Sequence, residues 1–187
     1  MLCVTALSPG YGCKESKPPV EKKPESMTSV NVVTPVNNDE QQFRQFLKQF
    51  KAAAKQKNLA QLSGMFQYPV QTSPQWSNDD LHNMAKKPVD GLMDKPELQK
   101  HFDDVFSGDA LRLIPKSGDN DLSEIDKATA EDYYKELVKK TDKGSTLYEL
   151  NIQYTQDNNK ETSFGFVFGR VNGSYKILSY FRPWPLK

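Results

Sequence analysis

The chain has 187 residues, with 25 Lys and Arg against 24 Asp and Glu and a hydrophobic fraction of 36%. That length predicts one ordinary domain with an appendage, and Leu, Ile, Val and Phe, 42 residues together, suffice for a core. The composition excludes a helix crossing a membrane (no apolar run of about 18 residues), a nucleic-acid binder (no basic stripe) and a disulfide scaffold or four-cysteine zinc site (two cysteines).

Residues 1–13 form a mildly apolar opening, MLCVTALSPGYG followed by Cys13. A small residue, Gly12, then a lone Cys and a charged Pro-rich spacer resembles the end of a bacterial lipoprotein signal. Gly10 stands where that pattern usually has Leu, and no Lys or Arg precedes Cys13. The resemblance implies that Cys13 becomes the first mature residue and carries a lipid, with Cys3 discarded. Both cysteines fall within the first 13 residues, as expected of an anchored envelope protein whose domain faces periplasm or exterior.

Residues 14–37 hold four prolines, mixed charges and no aromatic. Such a stretch cannot bury enough apolar surface to offset its ordering entropy, so it is expected to be a disordered tether. The folded domain is expected over 38–187.

From Asn38 the pattern turns helical. Phe43, Phe46, Leu47, Phe50, Ala53 and Ala54 share one face, with Asn38 and Gln41 as an expected capping box. Lys48, Lys51, Lys55 and Lys57 take the solvent side. Asn58 restarts a short helix with Leu59, Leu62, Met65 and Phe66, which Tyr68-Pro69 is expected to end. Residues 70–93 read as irregular. Asp94-Lys95-Pro96-Glu97 is a helix start; Leu98, Phe102, Val105 and Phe106 follow on the buried face, and Ser107-Gly108 closes the helix. Leu111 to Ile114 is an expected strand. Thr129 caps a further helix with Tyr133, Tyr134, Leu137 and Val138 inward.

The last 43 residues are β-rich. Tyr148, Leu150, Ile152 and Tyr154 alternate with Glu149, Asn151 and Gln153, which predicts a half-buried strand. Asp157-Asn158-Asn159 turns the chain into a strand with Phe164, Phe166 and Phe168 on one face. Asn172-Gly173 signals a type I′ hairpin, and Tyr175 to Phe181 is the last strand, stopped by Pro183. The expected class is α+β, N-terminal helices packed on a curved antiparallel sheet.

FRQFLKQFKAAAKQKNLAQLSGMFQYPV, then KPELQKHFDDVF, then a terminal NGSYKILSYF strand resembles the nuclear transport factor 2-like superfamily. That resemblance spans roughly residues 39–182 and implies a cone of helices against a bent sheet. The helix near 130–140 is an addition to that plan. The superfamily holds isomerases, dehydratases, hydrolases and non-catalytic binding modules, so fold alone names no reaction. Dimerisation through the outer sheet face is a further implication of the resemblance.

Chemistry is sparse along the chain. An isomerase-like site needs an Asp base facing an oxyanion donor in an apolar cone, yet no Asp interrupts an apolar strand face. Glu149 is expected on the polar face, and Asp103 and Asp104 toward solvent. His82 and His101 stand in unrelated contexts. Asp119 to Glu124 alternates oxygen-bearing side chains as a calcium loop does, without the glycine and distant Glu of an EF-hand. Tyr148, Tyr154, Phe164, Phe166, Phe168 and Tyr180 either line a cavity for a small apolar ligand or are the core itself. No catalytic residue, metal or cofactor is implied. The expected function is a lipid-anchored envelope module that binds a ligand or partner protein, the alternative an isomerase- or dehydratase-like enzyme.

Overall fold

The computed structural model describes residues 35–74, 91–129 and 131–183. Cys13, the tether as far as residue 34, Trp76, His82 and Trp184 lie outside them, while residues 35–37, expected to end the tether, are the first turn of a helix. Helix α1, Pro35–Lys55, begins before the expected cap, so Asn38 sits inside it and accepts from Gln42 Nε2. Its apolar face behaves as the spacing demands: Phe43, Leu47, Phe50, Ala53 and Ala54 are buried. Lys51 departs from the solvent face, donating from Nζ to the Ser117 carbonyl at 2.6 Å. The helix closes at Lys57, whose φ of 52° reverses the chain so that the Asn58 N–H reaches the Ala53 carbonyl. Asn58 then caps α2, Leu59–Gly64, by accepting from the Gln61 N–H.

Residues 66–74, expected to be the end of a helix and then irregular, form strand β1, Phe66–Pro74. The pattern hides it because Pro69 cannot donate to a ladder. The structure accommodates Pro69 in the register shift between the Phe66–Ile177 and Gln71–Ser179 pairs. A short strand β2, Leu92–Met93, pairs with β1.

Asp94 caps α3, Lys95–Lys100, accepting from the Glu97 N–H at 2.8 Å. The single helix expected here breaks at His101, and α4, Phe102–Val105, follows. Leu98, Phe102, Val105 and Phe106 are all buried, as expected. Ser107 opens a helix rather than ending one: its hydroxyl accepts from the Ala110 N–H at the start of α5, Gly108–Leu113. Leu111 to Ile114 is therefore helical, passing into a 3-10 turn at Ile114–Lys116. So short a run, three apolar residues and Arg112, fits either state, and the Ser cap decides it.

Strands β3, Leu122–Glu124, β4, Tyr148–Thr155, β5, Glu161–Val171, and β6, Ser174–Arg182, complete a six-stranded sheet in the order β2-β1-β6-β5-β4-β3. The expected meander β4–β5–β6 is present, and Asn172 and Gly173 take the φ of 50° and 78° that a type I′ turn needs. The sheet is mixed, because β1 joins β6 in parallel. The class is α+β with a curved sheet.

Register sorts the side chains by face. Tyr148, Leu150 and Ile152 lie opposite Phe168, Phe166 and Phe164, and this inner face meets α1, α3, α4 and α5 in the main core. Val167, one residue out of phase, points outward. There, with Leu147, Leu178 and Phe181, it meets Leu137 of α6, Asp132–Val138. Helices thus cover both faces. Helix α6 starts later than expected: Thr129 accepts from the Glu131 N–H before the helix begins, and Val138, expected inward, is 47% exposed.

Two glycines make the outer face approachable. A Cβ on Gly165 would lie 2.1 Å from the Phe181 ring, and one on Gly169 2.6 Å from the Thr141 methyl. The Phe181 ring fills the gap left by its cross-strand partner Gly165.

Candidate functional site

The six rings considered for a pocket sit together on the inner face. Phe166 and Phe168 are fully buried and Tyr148, Phe164 and Tyr180 nearly so, while Tyr154 is half-buried. They meet one another and helix α1. Phe43 stacks on Tyr148 with centroids 3.8 Å apart, Phe50 meets Phe166 edge-on at 5.2 Å, and Tyr180 tilts against Phe166 at 5.2 Å. This ring-on-ring packing is the geometry of a core. Burial pushes the Tyr148 phenol up to about 12, helped by the nearby Glu124, Glu40 and Asp39, so it stays protonated at neutral pH.

Two acids are buried among the described residues, Asp39 and Glu149, and the sequence pattern singled out neither as a candidate. Asp39, near the start of α1, accepts at Oδ2 from the Thr146 N–H at 2.8 Å and the Tyr175 hydroxyl at 2.9 Å. Its Oδ1 faces Arg170 Nη1 at 2.8 Å. Arg170 also reaches Asp142, whose carboxylate receives the Asn172 and Gly173 N–H groups. Burial and the Asp39 carboxylate both raise the Tyr175 pKa, which keeps that phenol a donor. The signal that could have found Asp39 is its position on the Phe43 side of α1, one turn before Phe43. An acid on an apolar helix face requires a buried partner.

Glu149, expected on a solvated polar face, lies beneath α6 and accepts from the Tyr134 hydroxyl. Tyr133 meets the fully buried Ser179 hydroxyl, which in turn donates to the Gln71 carbonyl at 2.7 Å. The outer face is only apparently polar: α6 covers it with phenols that satisfy its acid and hydroxyl.

At the far end of the sheet, Asp104 does not point to solvent as expected. Arg182 at the end of β6 holds both its oxygens, Nη1 to Oδ1 at 2.7 Å, tying α4 to the sheet. Nearby, an open depression of about 500 Å³ is lined by Gln153, Tyr154, Glu161, Thr162, Ser163 and Pro183. Its lining is chiefly hydroxyl, amide and carboxylate, with one phenol ring.

The calcium-like loop is engaged internally. Asp119 pairs with Arg44 at 2.7 Å, and Asp121 accepts from the Gly118 N–H. Among the described residues no cluster of three or more His, Cys, Asp or Glu is arranged to hold a metal ion, and no helix is long and apolar enough to cross a membrane.

No protein-family model matches the chain, and no curated protein is significantly similar to it. Solved structures that align with the chain include two. One is a protein named Rd1NTF2_05 with five substitutions, at 10% identity and a TM-score of 0.37, covering 78% of this chain and 98% of its own. The other is a putative calcium/calmodulin dependent protein kinase II association domain from Xanthomonas campestris, at 12% identity and a TM-score of 0.38, covering 79% of this chain and 89% of its own. At such identities and scores, the functional reading rests on the chain's own residues.

Proposed function

We propose that this is a lipid-anchored envelope protein whose folded domain binds a partner protein and performs no chemistry. The observation that carries the non-catalytic half is the state of the buried acids. A general base needs a lone pair open to substrate. Asp39 is met instead by Thr146, Tyr175 and Arg170, and Glu149 lies under α6.

A partner protein is favoured over a small apolar ligand because the inner rings pack against α1, where such a ligand would sit. The contact we assign to the depression around Tyr154 and Thr162, where hydroxyl, amide and carboxylate groups resemble the polar makeup of a transient interface. Anchoring rests on Gly12-Cys13 and the Pro-rich spacer after it.

Labelling with a palmitate analogue in a bacterial host, comparing the natural gene with Cys13→Ser, tests the anchor; equal label in both forms rejects it. A photo-crosslinking residue at Thr162 should give a discrete adduct in cells, whereas the same residue at Lys135 on α6 should not. No adduct at Thr162, or equal adducts at both positions, rejects the assigned contact.

A further inference from the structure

The outer cover is attached in a way that the inner layer is not. The chain is pinned on both sides of α6. Before it, the Ile125 N–H donates to the Leu147 carbonyl at 2.9 Å. After it, the Asp142 N–H donates to the Arg170 carbonyl at 2.8 Å, and the Asp142 carboxylate receives Asn172 and Gly173. Between these pins, α6 is held by one fully buried side chain, Leu137, by the partly buried Tyr133 and Tyr134 rings, and by their phenol bonds to Ser179 and Glu149. Its other side-chain ion pairs, Asp132 with Lys135 and Glu136 with the capping Lys139, lie along the helix at the surface and contribute little.

A helix of seven residues does not sustain itself in water; packing must hold it. The sheet beneath does not depend on it in return. Strands β4, β5 and β6 are hydrogen-bonded to one another and to β1, and their inner side chains belong to a separate core. Lifting α6 returns the two phenols, Glu149 and Ser179 to water, which replaces most of the lost hydrogen bonding. It uncovers the outer stripe of Val167, Leu178 and Phe181, an apolar surface that a folded protein ordinarily keeps covered.

We propose that α6 is a strap that opens and recloses as one unit over an intact sheet, with Tyr133 and Tyr134 as its latches. This inference is independent of the anchor and of the partner contact assigned above. Native-state hydrogen exchange tests it. The amides of residues 136–139 should share one protection, at least about 100-fold below that of residues 166–168 and 177–179, as expected of a sub-global opening. The double variant Tyr133→Phe, Tyr134→Phe should raise exchange at 136–139 about tenfold and change the strand amides less than twofold. Helix amides as protected as the strands, a graded fraying without a shared value, or strand protection falling in step with the helix would each overturn the proposal. The comparison within the unaltered protein decides the matter even if the double variant does not fold.

Discussion

The two faces of one sheet are built on different principles. The inner face holds rings that interlock: Phe43 on Tyr148, Phe50 on Phe166 and Phe168, Phe106 on Phe166. Its stability resides in shape and apolar area, and helices on several sides share it. The outer face holds a few aliphatic side chains and Phe181 beneath one short helix, with an acid and a hydroxyl that need partners. A layer of rings makes a domain cohere. A layer with buried polar groups makes its cover specific, because only a helix offering donors at those positions satisfies them.

The largest test of that contrast is Phe166→Ala. It should cost about 3–5 kcal/mol, since the fully buried ring leaves a cavity among rigid neighbours. Urea denaturation measures it. Leu137→Ala on the outer side should cost less, about 2 kcal/mol, and act mainly on α6; equal global losses would erase the distinction between the faces.

Asp39→Ala should cost about 3 kcal/mol, because it leaves the Arg170 guanidinium only the longer contact with Asp142 and takes away the carboxylate that accepts from Tyr175 and the Thr146 N–H. Asp39→Asn should recover part of this, since it still accepts from Thr146 and Tyr175 while losing the charge. If both variants are as stable as the parent in thermal unfolding, the cluster does not hold α1 to the sheet.

Gly165→Ala should cost roughly 2 kcal/mol, as the new methyl displaces the Phe181 ring. Combining it with Phe181→Leu should be less than additive in a double-mutant cycle. Strict additivity would mean that the ring and the glycine are not coupled.

Alkaline pH probes the inner phenols together. Burial pushes Tyr148 up to about 12, and burial also raises Tyr180 and Tyr175. An unfolded tyrosine ionises near 10. Above about pH 10 the folded chain therefore retains protons that the unfolded chain has lost, and stability falls as pH rises. The thermal midpoint should drop between pH 9 and roughly 11, with phenolate absorbance from these residues appearing at unfolding. Phenolate formation in a chain that stays fully folded would show that the phenols are open to solvent.

The smallest expected effect is Tyr134→Phe, about 1 kcal/mol from one hydrogen bond to a carboxylate that then keeps only the longer contact from Asn151 Nδ2 at 3.5 Å. A change near zero would make Tyr134 a packing group rather than a latch.

Local rules read much of this molecule directly from the chain. The α1 face, the Asn58 and Asp94 caps, the alternation on β4 and β5, and the Asn172-Gly173 turn follow from spacing and backbone preference, which neighbours in sequence decide. The candidate rings were legible in the same way, although spacing alone could not separate a pocket lining from a core. What the sequence left hidden depends on partners far along the chain. Strand β1 tolerates Pro69 because its pairing with β6 is interrupted there. Leu111 to Ile114 is the local exception, helical because Ser107 just upstream caps it, a signal that also reads as a helix end.

The sequence by itself determined that rings would fill one face of a sheet, because period and residue size encode which side is buried. The tertiary structure alone decided which partners the polar groups buried with them would meet. Asp39 meets Tyr175 across 136 residues and Glu149 meets Tyr134 across 15, and a carboxylate's environment is set by what the fold brings to it.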